Sequence, residues 1–157
     1  MNKITLKWEE ILAGATSGLM REIESLRQGI EWGHGANFNH YEKCCMTISG
    51  ALAEMSLAKM CQSYFSHSVN NFHGADLKIN GKSVQVRSQL MSKKTHNLIV
   101  RQNKKKDDYY FLMLDEFPTY RHTVKVRGGN DQVTSWLSLR ISGLAEVLHL
   151  DFTAHLA

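Results

Sequence analysis

The chain reads as an α/β (α+β) fold: a central mixed sheet of about four to five strands flanked by helices. Three observations predict it. Apolar residues recur at helical spacing through the first third, an Asn-Gly pair separates two alternating runs near the middle, and Tyr109 to Leu114 is apolar on both faces.

The first element is carried by Trp8, Leu12, Ala15, Leu19, Ile23, Leu26 and Ile30, whose spacings of three and four predict an amphipathic helix over about residues 5–31. Gly14 and Gly18 weaken it without ending it. Its apolar stripe is expected to cover one side of the sheet or to build a dimer. Gly33-His34-Gly35-Ala36-Asn37-Phe38-Asn39 reads as a loop, with Asn39 the N-cap of a second helix that carries Tyr41, Cys44, Cys45, Ile48, Leu52 and Met55 and runs to about Phe65. Strands follow at about 75–79, 83–90, 97–102 and 109–114, the last suited to the centre of a sheet. Lys104 to Asp108 is the turn before that strand. Beyond it the pattern weakens: Thr123–Arg127 reads as a short strand, Gly128-Gly129-Asn130 as a turn, and Gly143–Leu150 as a short helix or strand. With 157 residues and no repeat or linker, one domain is expected over 1–157.

Composition narrows the function classes. No run of about 18 apolar residues could span a membrane. Met1 to Lys7 has no apolar h-region and reads as the start of the first helix, so no signal peptide is expected. Three cysteines, two of them adjacent, make a poor disulfide framework, and a reducing cytoplasm is the expected setting. A shared zinc ion is disfavoured too: along one continuous helix Cys44 and Cys61 would stand about 25 Å apart, whereas a zinc–sulfur bond is about 2.3 Å. The net charge of +4 is unevenly spread, with twelve Lys/Arg against five Asp/Glu in residues 76–127 and seven against ten elsewhere. A basic segment of that kind suits a polyanion such as nucleic acid, DNA first.

That segment opens with the hairpin Gly74-Ala75-Asp76-Leu77-Lys78-Ile79-Asn80-Gly81-Lys82-Ser83-Val84-Gln85-Val86-Arg87. A two-residue Asn80-Gly81 turn sets Ile79 opposite Lys82, Leu77 opposite Val84, and Asp76 opposite Gln85. Alternation then gathers Leu77, Ile79, Val84 and Val86 on one face and Asp76, Lys78, Gln85 and Arg87 on the other. An acid, an amide and a guanidinium side by side suit phosphate or a metal ion.

In the helix before this hairpin, Gly50-Ala-Leu-Ala-Glu54-Met-Ser-Leu-Ala58 sets Glu54 on a stripe with Gly50, Ala58 and Cys61, small neighbours that would let the helix lie close to a sheet. A helical Gly-x3-Glu, an Asp opening a hairpin and Gln-x-Arg on the return strand resembles the PD-(D/E)XK, or restriction-endonuclease-like, nuclease superfamily. The resemblance covers about residues 45–116, leaving an N-terminal helix (1–32) and a C-terminal elaboration (117–157) outside it. It implies a Mg²⁺-dependent endonuclease acting on DNA, with Mn²⁺ able to substitute. Asp76, Gln85, Glu54 and the carbonyl of Val86 would hold the metal, which would activate a water, and Arg87 would contact the scissile phosphate. A homodimer is implied in the same way. Lys78, Lys82, Ser88, Lys93, Lys94 and Gln102 are the candidate nucleic-acid contacts.

The sequence departs from the family at Arg87, where a lysine is expected. Arginine effectively keeps its proton, so Arg87 is no general base, although it can bind phosphate with two N–H groups. Gln85 removes one negative charge from the metal position. The alternative reading is therefore a catalytically degenerate member that binds nucleic acid or a protein partner without cutting. Taken singly, Asp76 also reads as a turn flank, Gln85 and Arg87 as the solvent face of an edge hairpin, and Glu54 as a surface glutamate.

Overall fold

The computed structural model describes residues 3–31, 37–69, 74–94, 96–100, 107–127 and 137–140. The elements are β1 (Lys3–Thr5), α1 (Trp8–Arg27), α2 (His40–Met60), β2 (Leu77–Ile79), β3 (Lys82–Leu90), β4 (Asn97–Val100), β5 (Tyr109–Glu116), β6 (Thr119–Arg127) and β7 (Leu137–Arg140). The expected turns at Lys104–Lys106 and Gly128–Asn130, the segment Gly143–Leu150 and the candidate contact Gln102 lie outside the described residues.

The chain opens with a strand, where the sequence predicts the start of a helix. Lys3, Ile4 and Thr5 pair antiparallel with Arg121, Tyr120 and Thr119, the two threonine hydroxyls 3.0 Å apart. The β-branched Ile4-Thr5 pair favours this extended course. Helix α1 begins only at Trp8, where the Lys7 N–H donates to Glu10 Oε2 at 2.6 Å. Asn39 caps α2 as expected: Asn39 Oδ1 accepts from Glu42 N–H at 3.0 Å, and Glu42 Oε2 accepts from Asn39 N–H at 2.8 Å. The helix stops at Met60, short of Phe65, because Gln62 turns left-handed (φ 50°) and Ser63 N–H reaches back to the Ala58 carbonyl at 2.8 Å.

Five strands form a mixed sheet in the order β1-β6-β5-β3-β2, with β3 and β5 parallel and the other neighbours antiparallel. Asn80 (φ 49°) and Gly81 (φ 74°) both sit in the left-handed region that the hairpin needs, and the register Leu77↔Val84, Lys78↔Ser83, Ile79↔Lys82 is the one the Asn-Gly turn predicts. β5 is the middle strand. Phe111 and Met113 pack toward α2 with Val84, Val86, Leu52 and Met55, while Tyr110, Leu112 and Leu114 pack on Leu98 of β4. β4 pairs with β7 in a separate two-stranded ribbon.

The mixed five-stranded sheet with packed helices is the α+β class expected, and among the described residues the helices lie to one side of it. α2 covers one face and α1 lies on α2. Of the two expected uses of the α1 stripe, covering the sheet is not the one seen: α1 buries Gly14, Ser17, Gly18, Glu22 and Ser25, and its apolar stripe faces outward, with Trp8 75 % and Leu12 70 % exposed. A Cβ on Gly18 would stand 2.6 Å from the Ile48 Cα, so a close crossing of the two helix backbones selects the small face. Gly50 has no such role, because a Cβ there would meet nothing within 4 Å. Among the described residues no helix is long and apolar enough to cross a membrane.

Candidate active site

The hairpin creates the first half of the site by ending early. β2 pairs with β3 only as far as Leu77↔Val84, so Val86 lies one alternation step past the ladder. In a strand, a residue's N–H and C=O point to the same side, and both groups of Val86 find side chains there. The N–H donates to Asp76 Oδ2 at 2.7 Å, and the carbonyl accepts from Arg87 Nη1 at 2.8 Å. The same Nη1 donates to Gln85 Oε1 at 3.3 Å and lies 3.6 Å from Asp76 Oδ2. Three oxygens expected from the sequence to hold a metal ion thus converge on one guanidinium nitrogen. Gln85 is oriented from its other end, where Nε2 donates to the Gly74 carbonyl at 3.3 Å.

The second half comes from the helices. Glu54 projects from α2 with its side chain 9 % exposed, and Arg21 Nη1 from α1 donates to both of its carboxylate oxygens at 2.9 Å. Arg21 is itself held from behind, donating through Nε to the Ser68 carbonyl at 3.2 Å and through Nη2 to the Ser66 carbonyl at 3.4 Å, with its guanidinium over the Phe65 ring. The Ser17 hydroxyl lies 2.8 Å from His67 Nδ1 and ties the same loop to α1. Between the halves lies a cavity of about 100 Å³, lined by Arg21, Glu54, Ser66, Ser68, Val69, Ala75 and Asp76. No protein-family model, curated protein or solved structure matches this chain.

Burial and mutual repulsion set the protonation of the two acids. Burial, and then the charge of Asp76, push Glu54 up to about 7 against the opposing pull of Arg21 and Arg87. Asp76 is raised as well, by burial first and by the nearby Asp107, with Arg87, the Val86 N–H and Arg21 opposing. Two carboxylates that hold their protons this strongly form a site that a further cation would stabilise. The donors are hard oxygens throughout (two carboxylates, an amide and a backbone carbonyl), the set that Mg²⁺ takes. Arg87 Nη1 is the cation standing on three of them, so the residues present fit the ion and an ion would compete with the guanidinium. Among the described residues no three His, Cys, Asp or Glu side chains group as metal ligands, so the amide and the carbonyl are needed to complete such a set.

The expected nucleic-acid contacts are more scattered. Lys78 and Lys82 are exposed on the hairpin, the latter 3.9 Å from Asp108. Lys93 and Lys94 are exposed past the other end of β3, about 25 Å along the strand direction from Lys82. Ser88 belongs to neither group: it turns toward α2, where the Ser49 hydroxyl donates to Ser88 Oγ at 3.2 Å and to Asp115 Oδ2 at 3.4 Å.

Sequence reasoning passed over two residues. Arg21 follows Gly14, Ser17 and Gly18 on the small face of α1, and that stripe was the available signal for a buried arginine needing an acid. Asp107 reads as a turn residue in the sequence, yet it is 3 % exposed, its Oδ1 has no hydrogen-bond partner among the described residues, and it adds to the repulsion on Asp76.

Proposed function

We propose that the chain is a metal-dependent nuclease hydrolysing phosphodiester bonds in DNA, a divergent PD-(D/E)XK-like enzyme of the cytoplasm. The observation that carries this reading is the pair Glu54 and Asp76, from a helix and a hairpin 22 residues apart in sequence, lining one cavity with proton affinities raised by burial. On this reading Asp76, Gln85, Glu54 and the Val86 carbonyl hold Mg²⁺ or Mn²⁺, which when bound supplies an acidified water and neutralises charge on the phosphoryl oxygens. Arg87 binds the phosphate through two N–H groups and stabilises negative charge as it builds up. Glu54, balanced near neutrality, can take up or hold a proton at its carboxylate oxygens, while Arg21 fixes the carboxylate plane. Lys78 and Lys82 flank the site on the hairpin and would meet the backbone of the bound strand. Two copies would present one such site to each strand of a duplex.

A second reading has its own observation. Each acid already carries an internal cation, Arg21 on Glu54 and Arg87 beside Asp76, an arrangement that also serves a binding module without chemistry. Incubation with supercoiled plasmid, single-stranded DNA and RNA, under Mg²⁺, Mn²⁺ or EDTA, separates the two. Metal-dependent cleavage of DNA that Asp76→Ala abolishes is the expected result. Salt-sensitive binding without cleavage under any metal, with the protein folded, would replace the nuclease by the binding module.

A further inference from the structure

The outward stripe of α1 has a property that a merely exposed helix lacks. Within the helix its residues are Trp8, Leu12, Ala15, Leu19, Ile23 and Leu26, and from Leu12 to Leu26 the intervals are three, four, four and three. The series reads the same in both directions about Leu19. A two-fold axis through Leu19, perpendicular to the helix, therefore sets Leu12 against Leu26 and the small Ala15 against the large Ile23 of a second copy, with Trp8 reaching the turn that follows Arg27. An isologous interface requires this self-complementarity, with residue i meeting j and j meeting i.

We propose that the chain forms a homodimer by antiparallel packing of α1 on α1 about Leu19. The helix dipoles agree with the pattern, since an antiparallel pair sets the N-terminus of each α1 beside the C-terminal half of the other. The area agrees as well. Leu19, Ile23, Leu26 and Ile30 join Trp8 and Leu12 among the exposed large hydrophobic residues, and Met20 lies beside the axis. Together they offer on the order of 700 Å² of apolar surface, more than the roughly 300–600 Å² of a monomer's largest patch and close to the ~800 Å² that each partner gives a standard interface. The opposite face of α1 is committed to α2 through Gly14, Ser17 and Gly18, so the pairing leaves the Arg21–Glu54 contact in place.

Sedimentation and disulfide trapping of the full chain test the inference. The parent is expected to sediment at twice the chain mass at micromolar concentration, and Leu19→Arg at the chain mass with an unchanged far-UV circular dichroism spectrum. In Leu19→Cys the introduced thiols meet across the axis, so mild oxidation should link copies through that position alone, as mapped by peptide mass spectrometry. Thr16→Cys should not be trapped, because Thr16 lies three residues from the axis and its two copies stand about 9 Å apart along the helices, beyond the reach of a disulfide. A monomeric parent would overturn the proposal. So would a dimer that survives Leu19→Arg, or one trapped equally at Thr16.

Discussion

One methyl group at Gly18 tests the helix crossing that brings Arg21 to Glu54. A Cβ there would lie 2.6 Å from both the Ile48 Cα and the Thr47 carbonyl oxygen, and 2.8 Å from the Ile48 nitrogen. These are backbone atoms, so no rotamer change can relieve the overlap. Non-bonded carbons settle at about 3.5–4.0 Å, and α1 would have to retreat by about 1 Å. Two effects then oppose each other. Alanine gains roughly 1 kcal/mol over glycine within a helix, while overpacking typically costs about 1–3 kcal/mol. The retreat also loosens contacts around Leu52 and Met55. Gly18→Ala is therefore expected to lose about 1–2 kcal/mol, lowering Tm by roughly 2–8 °C. Gly50→Ala is the internal control: with nothing within 4 Å of its Cβ it should gain about 0.5–1 kcal/mol. Gly14→Ala meets only the flexible ends of Leu52 and Met55 and should fall between them. Urea denaturation followed by circular dichroism, at one fixed protein concentration, measures all three. A Gly18→Ala variant as stable as the parent would refute the close crossing and the account of α1 built on it.

Two further outcomes follow from the charges. Because burial and Asp76 raise Glu54 to about 7, the folded state holds that proton more tightly than the unfolded state; stability should fall by on the order of 2–3 kcal/mol as pH rises from about 5 to 8, and Glu54→Gln should flatten the profile in a denaturation series across that range. Removing the guanidinium with Arg87→Ala frees Asp76 Oδ2, Gln85 Oε1 and the Val86 carbonyl, so the rise in Tm on adding Mg²⁺ should exceed the parent's; an equal or smaller rise would mean that ion and guanidinium do not compete.

The hairpin was legible because its signal is local. Asn80 and Gly81 specify the turn, the turn fixes the register, and the register sets Asp76 beside the strand that carries Gln85 and Arg87. The cap at Asn39 and the central strand Tyr109–Leu114 were legible for similar reasons. Helix α1 was not, because periodicity marks an apolar face without saying what covers it. Here close backbone approach at Gly18 outweighed burial of the apolar stripe, and both faces of α1 repeat at the same spacing. The start of the chain misled for a related reason: Ile4 and Thr5 continue a helical reading until β6, over a hundred residues away, supplies a partner for a strand. Arg21 and Asp107 depend on such long-range contacts too, and neither sits in a motif of its own.

The balance of charge at the site bears directly on how ligands would enter it. Two buried carboxylates without counter-charge would be costly, and Arg21 beside Glu54 and Arg87 beside Asp76 offset that cost. Their holds differ. Arg21 is fixed by two backbone carbonyls and an aromatic ring, whereas Arg87 is about half exposed and reaches Asp76 only at 3.6 Å. Arg87 is thus the cation that can leave. On the proposed reading, a phosphate that draws Arg87 outward exposes the oxygens a divalent ion needs, and an ion that takes those oxygens releases Arg87 toward phosphate. Linkage makes such an exchange reciprocal: DNA should raise the affinity for Mg²⁺ by the same factor as Mg²⁺ raises the affinity for DNA, and Arg87→Ala should abolish both effects together.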